Sequence, residues 1–218
     1  MKKLFSVAFL SAMLSTSAFA AGATASGHAD DHHTATGDAA AGQTKAAACG
    51  ACHGATGVSS NPLWPNLAGQ GAPYIASQLH QFKSGARNNA MMNGQAAGLS
   101  DQDILDIAAY FEAQPARVGS TAENLLAPGA LLYRAGDAEN GISACIACHG
   151  PQGKGNAAAG FPALSGQQDA YVAAALKAYR SGERGDPKKP HQMMMLNVAS
   201  KLTDAQIDAV SAYVSGLH

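Results

Sequence analysis

The sequence carries Cys49-Gly50-Ala51-Cys52-His53-Gly54 and, in its second half, Cys145-Ile146-Ala147-Cys148-His149-Gly150. Working outward from these two stretches, the correspondence continues. Pro65-Asn66-Leu67-Ala68-Gly69-Gln70 answers Pro162-Ala163-Leu164-Ser165-Gly166-Gln167. Tyr74 answers Tyr171, Phe82 answers Tyr179, Gly85 answers Gly182 and Arg87 answers Arg184. Met91-Met92 answers Met194-Met195, Leu99-Ser100-Asp101 answers Leu202-Thr203-Asp204, and Ala109-Tyr110 answers Ala212-Tyr213. Two copies are too few for a stacked repeat array. The pattern predicts two tandem domains of one fold, residues 38–114 and 129–218, with a linker over 115–128 that runs from Pro115 to Pro128.

Each half reads as helical. Asp38 caps an Ala-rich helix running to the first cysteine. Pro73 fits the first turn of a helix that carries Tyr74, Ile75, Leu79 and Phe82 at helical spacing and stops at Gly85. Residues Asp169 to Ser181 repeat it, with Gly182 as the stop. Ser100 to Asp103 and Thr203 to Gln206 read as capping-box starts of the last helix in each half. The methionine clusters are expected in loops shortly before those last helices. No strand alternation stands out, so the fold class is all-α.

Composition narrows the function. The chain has 218 residues with a formal charge of −1, which excludes a basic nucleic-acid footprint. The single long apolar run lies at the N-terminus, so the mature chain is expected to have no membrane span. Lys2 and Lys3, the apolar stretch Leu4 to Leu14 and Ala18-Phe19-Ala20 read as a signal peptide, residues 1–20, cleaved after Ala20. Residues 21–37 read as a disordered leader; its His28, His32 and His33 beside Asp30 and Asp31 are read as a solvated tail rather than a metal site. Hydrophobic residues make up 47% of the chain, but 48 of them are alanine, so each half is short of bulky core.

C-x-x-C-H is the attachment signature of c-type haem. Two cysteines on one turn can form thioethers with the two vinyl groups of a porphyrin, and the next residue, a histidine, can ligate the iron. Export fits, because this attachment takes place outside the bacterial cytoplasm. A redox-active dithiol would need a thioredoxin-like βαβ context, which is missing. Zinc shared between two such distant pairs fits poorly. Covalently held haem also supplies the apolar core the composition lacks, with Trp64, Tyr74, Phe82, Phe161, Tyr171 and Tyr179 as packing partners. The expected sites are therefore Cys49, Cys52 and His53 for one haem and Cys145, Cys148 and His149 for the other.

Outside the signal segment every methionine falls in two clusters, Met91-Met92 and Met193-Met194-Met195. A methionine at such a place can ligate the iron opposite the histidine, which raises the reduction potential and suits electron transfer. Ungapped matching to the last helix pairs Met91 with Met194 and Met92 with Met195, and leaves Met193 opposite Ala90. The residues alone leave both pairs open. His80, His191 and His218 read as solvent-facing.

The motifs A-A-C-G-A-C-H-G-A, P-N-L-A-G-Q-G-A-P-Y, L-S-D-Q-D-I-L-D-I-A-A-Y-F, A-G-F-P-A-L-S-G-Q and Y-V-S-G-L-H resemble the dihaem cytochrome c4 family across nearly the whole mature sequence. The resemblance implies two tandem cytochrome c domains, each wrapped around one covalently bound haem and related by a pseudo-twofold axis. It implies axial Met92 and Met195, seven residues before Leu99 and Leu202. It implies that the Pro65 and Pro162 carbonyls accept from the proximal histidines, and that Arg87 and Arg184 pair with haem propionates. In function it implies a periplasmic, non-enzymatic carrier of single electrons from a quinol-oxidising complex toward a terminal oxidase or other reductase, loosely attached to the inner membrane. The alternative is the cytochrome subunit of a periplasmic dehydrogenase, such as a flavocytochrome c sulfide dehydrogenase. A dihaem peroxidase would need an open iron site and acid/base residues above it, and the paired methionines speak against that.

Overall fold

The computed structural model describes residues 36–218. The signal-peptide reading of residues 1–20 and the leader reading over residues 21–35, its histidines included, lie outside the described residues. Residues Thr34–His218 cluster into one unit, built from two halves with matching helix order. The first half contains α1 (Ala39–Lys45), α2 (Ala47–His53), α3 (Ala72–Lys83), α4 (Ala90–Ala97) and α5 (Asp101–Glu112). The second contains α6 (Glu123–Ala135), α7 (Ile146–His149), α8 (Asp169–Ser181), α9 (Pro190–Ala199) and α10 (Asp204–Gly216). Among the described residues there are no strands beyond two isolated bridges, Asp137 with Ile142 and Asn156 with Phe161.

In each half the first helix crosses the last, and the middle helix packs on the last as well. Gly42 on α1 lies against the Asp106 carbonyl of α5, and Gly129 on α6 lies against the Ala209 carbonyl of α10. No side chain fits at either crossing: a Cβ would stand 2.0 Å and 2.3 Å from those oxygens. The close approach lets Ile104, Ile107 and Phe111 of α5 pack with Ile75 and Leu79 of α3. Leu132, Tyr133, Val172, Ile207, Val210 and Val214 form the corresponding core of the second half.

Local chemistry explains several helix ends. Ser100 and Thr203 close capping boxes with Asp103 and Gln206. Asp38 caps α1 by accepting from the Ala40 and Ala41 N–H groups. Gly182 ends α8 in the left-handed conformation that glycine adopts without penalty.

Three expectations change. The Ala-rich segment from Asp38 is two helices that meet at Ala46, so the first C-x-x-C-H rides on its own short helix. The methionine clusters lie in helices, not loops: the Asn89 side chain accepts from the Met92 N–H to start α4, and Pro190 opens α9. The stretch 115–128 is not all linker, because α6 begins at Glu123 and contains Pro128. Proline there removes only the donor that would reach Asn124, and packing of the rest of α6 on α10 holds the helix.

Candidate haem sites

His53 ends α2 and His149 ends α7, each followed by a glycine at positive φ. That turn sends the chain away and leaves the imidazole buried. His53 Nδ1 donates to the Pro65 carbonyl at 2.9 Å, and His149 Nδ1 donates to the Pro162 carbonyl at 2.9 Å. With Nδ1 engaged, Nε2 is the nitrogen available to a metal. Burial pushes both imidazoles below the ordinary histidine range, only partly opposed by the proline carbonyls, which favours the neutral form that can ligate a metal. Burial also pushes the Cys145 thiol up to about 11 and raises that of Cys49. None of the four cysteines is in a disulfide.

A cavity of about 1350 Å³ runs through both halves. Its walls include Cys49, Cys52 and His53 from the first half and Cys145, Cys148 and His149 from the second. Trp64, Tyr74, Phe82, Phe161, Tyr171 and Tyr179 line it too, so the aromatic residues expected to pack on a prosthetic group face the same space. A cavity this large, apolar in most of its wall, fits a bulky planar group in each half better than water.

The two methionine positions left open by the sequence differ in setting. Met91, Met92, Met194 and Met195 all reach the cavity wall, and Met193 does not. Met91 is 56% exposed, and Met193 and Met194 are 41% and 38% exposed. Met92 and Met195 are half-buried, and Met92 packs on the first core. His80 is exposed and stands 4.0 Å from the Asp101 carboxylate, and His218 is exposed at the C-terminus. The reading of the His191 side chain lies outside the described residues.

Arg87 and Arg184 are not solvated surface groups. Arg184 is 7% exposed and donates to Tyr74 Oη at 2.7 Å and Gln78 Oε1 at 3.2 Å. Arg87 donates to Gln78 Oε1 at 2.7 Å and Tyr171 Oη at 3.3 Å. Each guanidinium also covers an aromatic ring of its own half, Arg87 over Phe82 and Arg184 over Tyr179. Among the described residues neither arginine is paired with a carboxylate. Two permanent cations facing an apolar cavity without an acidic partner fit an anionic substituent on whatever fills it.

Sequence reasoning missed the glutamines. Gln167 Oε1 accepts from the Asn66 N–H at 2.8 Å, and Gln167 Nε2 donates to the Asn66 carbonyl at 2.9 Å. Gln70 makes the same two bonds to Ala163, at 2.8 Å and 2.9 Å. Both amides are buried. The available signal was their shared place at the end of P-N-L-A-G-Q and P-A-L-S-G-Q, but a matched position does not say which half it serves.

Comparison with known proteins agrees with this geometry. The cytochrome c family model matches residues 39–114 and 126–218. A cytochrome c4 from Pseudomonas aeruginosa is 50% identical over 187 residues, covering 84% of this chain and 90% of that protein. A thiosulfate dehydrogenase electron acceptor from Thiomonas intermedia is 42% identical, covering 81% of each chain. The crystal structure of reduced recombinant cytochrome c4 from Pseudomonas stutzeri superposes with a TM-score of 0.80 at 45% identity, covering 84% of this chain and all of that one. Two cytochrome c segments, each with its own C-x-x-C-H, mean two covalently bound haem c groups. Paired cores, paired histidine–proline contacts and these matches together make the chain an electron-transfer cytochrome that belongs to the dihaem cytochrome c4 family.

Proposed function

We propose that the protein is a non-enzymatic periplasmic carrier of single electrons, with one haem in each of the halves 38–114 and 129–218. The observation that carries this is that one cavity gathers both C-x-x-C-H motifs and a half-buried methionine from each half. Haem c supplies a one-electron Fe(III)/Fe(II) couple when bound. Cys49, Cys52, Cys145 and Cys148 hold the two groups by thioethers. His53 and His149 would ligate iron through Nε2, each imidazole being held in one tautomer and orientation by the Pro65 or Pro162 carbonyl. Met92 and Met195, half-buried in the cavity wall, would each supply a thioether ligand to an iron, which would exclude exogenous ligands and favour the reduced state. Arg87 and Arg184 neutralise propionates and keep that negative charge from raising the cost of reduction.

The family resemblance supports service from a quinol-oxidising complex toward a terminal oxidase or other reductase, with loose attachment to the inner-membrane surface. Among the described residues no helix is long and apolar enough to cross a membrane. The relatives named as thiosulfate dehydrogenase electron acceptors favour a second reading, in which a periplasmic dehydrogenase is the donor. Reduction of the pure protein by thiosulfate and such a dehydrogenase, against reduction by a quinol-oxidising complex, separates the two donors.

Visible spectra of the oxidised and reduced protein, with and without carbon monoxide, test the carrier itself. Two low-spin c-type haems unchanged by carbon monoxide are expected. A shift in either haem means an open iron and overturns the closed-site reading.

A further inference from the structure

The Pro65 carbonyl that receives the His53 proton belongs to the same peptide unit as the Asn66 N–H, and that N–H donates to Gln167 of the other half. The second half repeats the arrangement. The Pro162 carbonyl receives from His149, and the Ala163 N–H of the same peptide donates to Gln70. Each buried histidine is thus linked through a single peptide group to a buried amide of the other half. The glutamines are themselves held: Gln70 Oε1 also accepts from the Gly71 N–H at 3.1 Å, and Gln167 Oε1 from the Gln168 N–H at 2.9 Å. Their Nε2 groups donate to the Ala163 and Asn66 carbonyls, so neither amide is free to turn.

We infer that Gln70 and Gln167 are positioning residues that tune the reduction potential of the haem in the opposite half. The inference rests on His53 and His149 being the iron ligands. Hydrogen bonds in series polarise one another. An acceptor on the peptide N–H draws that proton and leaves more negative charge on the carbonyl oxygen of the same unit. That oxygen then pulls harder on Nδ1–H, the imidazole becomes a stronger donor to iron, and Fe(III) is favoured. Loss of the glutamine weakens the series and raises the potential. Because the contact crosses the interface, the effect appears in trans: Gln167 acts on the haem held by Cys49 and Cys52, and Gln70 on the haem held by Cys145 and Cys148. The same contacts make the tuning depend on the two halves staying docked.

The test uses the intact dihaem protein, with haem-methyl NMR resonances assigned to each half and followed through stepwise reduction. Gln167→Met keeps the side-chain volume and removes both hydrogen bonds to Asn66, along with that to the Gln168 N–H. It is expected to raise the midpoint of the N-terminal haem, changing its oxidised-to-reduced ratio at fixed ambient potential about threefold or more, while the C-terminal haem stays. Gln70→Met is expected to do the converse. Movement confined to the haem of the variant's own half, equal movement of both, or no movement overturns the inference. If the methionine variants fail to fold, Gln167→Glu and Gln70→Glu keep the acceptor for the peptide N–H. Those variants are expected to leave the opposite haem at or below its original midpoint, and a rise there overturns the inference. Failure of the underlying reading is a separate result: resonances showing His53 or His149 unbound from iron in the unaltered protein.

Discussion

Ser211 on α10 and Ala108 on α5 occupy matching positions, and both are buried. The Ser211 hydroxyl is buried without a hydrogen-bond partner, whereas Ala108 asks for none. Leaving a hydroxyl unsatisfied costs about 1–3 kcal/mol. Ser211→Ala is therefore expected to raise stability to denaturant by about 1 kcal/mol with an unchanged m-value. An unchanged or lowered midpoint would show that the hydroxyl has a partner in solution. Among the proposed ligands, Met92→Ala is expected to open the N-terminal iron and give a carbon monoxide shift in that haem, while Met91→Ala leaves it closed. The reverse result would move the ligand by one residue. At this scale the two haem-attachment motifs were legible, because covalent attachment dictates their spacing. The choice between Met91 and Met92 was not legible from spacing, because neighbours on one turn differ only in burial. The cross-half bonds of Gln70 and Gln167 were invisible, because their partners lie about a hundred residues away.

At the scale of elements, the α1–α5 crossing is tied by charge as well as by Gly42. Asp106 accepts from the Asp38 N–H and Gln102 at 2.8 Å each, and the Lys45 ammonium joins it to Asp103. These partners, the Asp38 N–H foremost, hold the Asp106 carboxyl down to about 2. A carboxyl depressed on folding stabilises above its unfolded pKa of about 3.9, and that contribution fades as pH falls through the folded value. Stability is expected to drop between about pH 4 and pH 2, and Asp106→Asn should flatten this limb. An acid limb unchanged in the variant would place its origin in other carboxylates. In the second half, Gly129→Ala drives a methyl into the Ala209 carbonyl and Tyr213. Overpacking of this kind costs about 1–3 kcal/mol, seen as a lowered thermal midpoint with the haem spectrum retained. The capping boxes, Asp38 and the α8 stop at Gly182 were legible because they are local. The glycine crossings were not, since glycine inside a helix reads only as a propensity penalty until the neighbouring helix is known.

The whole molecule is two similar halves joined by polar contacts that cross from one to the other. Arg184 reaches Tyr74, Arg87 reaches Tyr171, Gln168 donates to the Ser59 carbonyl, and the two glutamines exchange backbone partners. Repetition in the sequence revealed two copies of one fold. It could not reveal this exchange, because matched residues such as Tyr74 and Arg87 read equally well as neighbours within one half. The exchange has an energetic consequence. Asn66, Gln70 and Gln167 are buried at the junction, and their amide bonds contribute about 0.5–1.5 kcal/mol each. Parting the halves loses all of them together, along with the arginine–tyrosine contacts. Denaturant unfolding of the dihaem protein is therefore expected to give one transition, coincident by far-ultraviolet circular dichroism and by haem absorbance. In Gln70→Met/Gln167→Met the coupling is reduced from both sides, and the transition should broaden or separate into two. Two transitions already present in the unaltered protein would show that the halves fold independently and that the junction only aligns them.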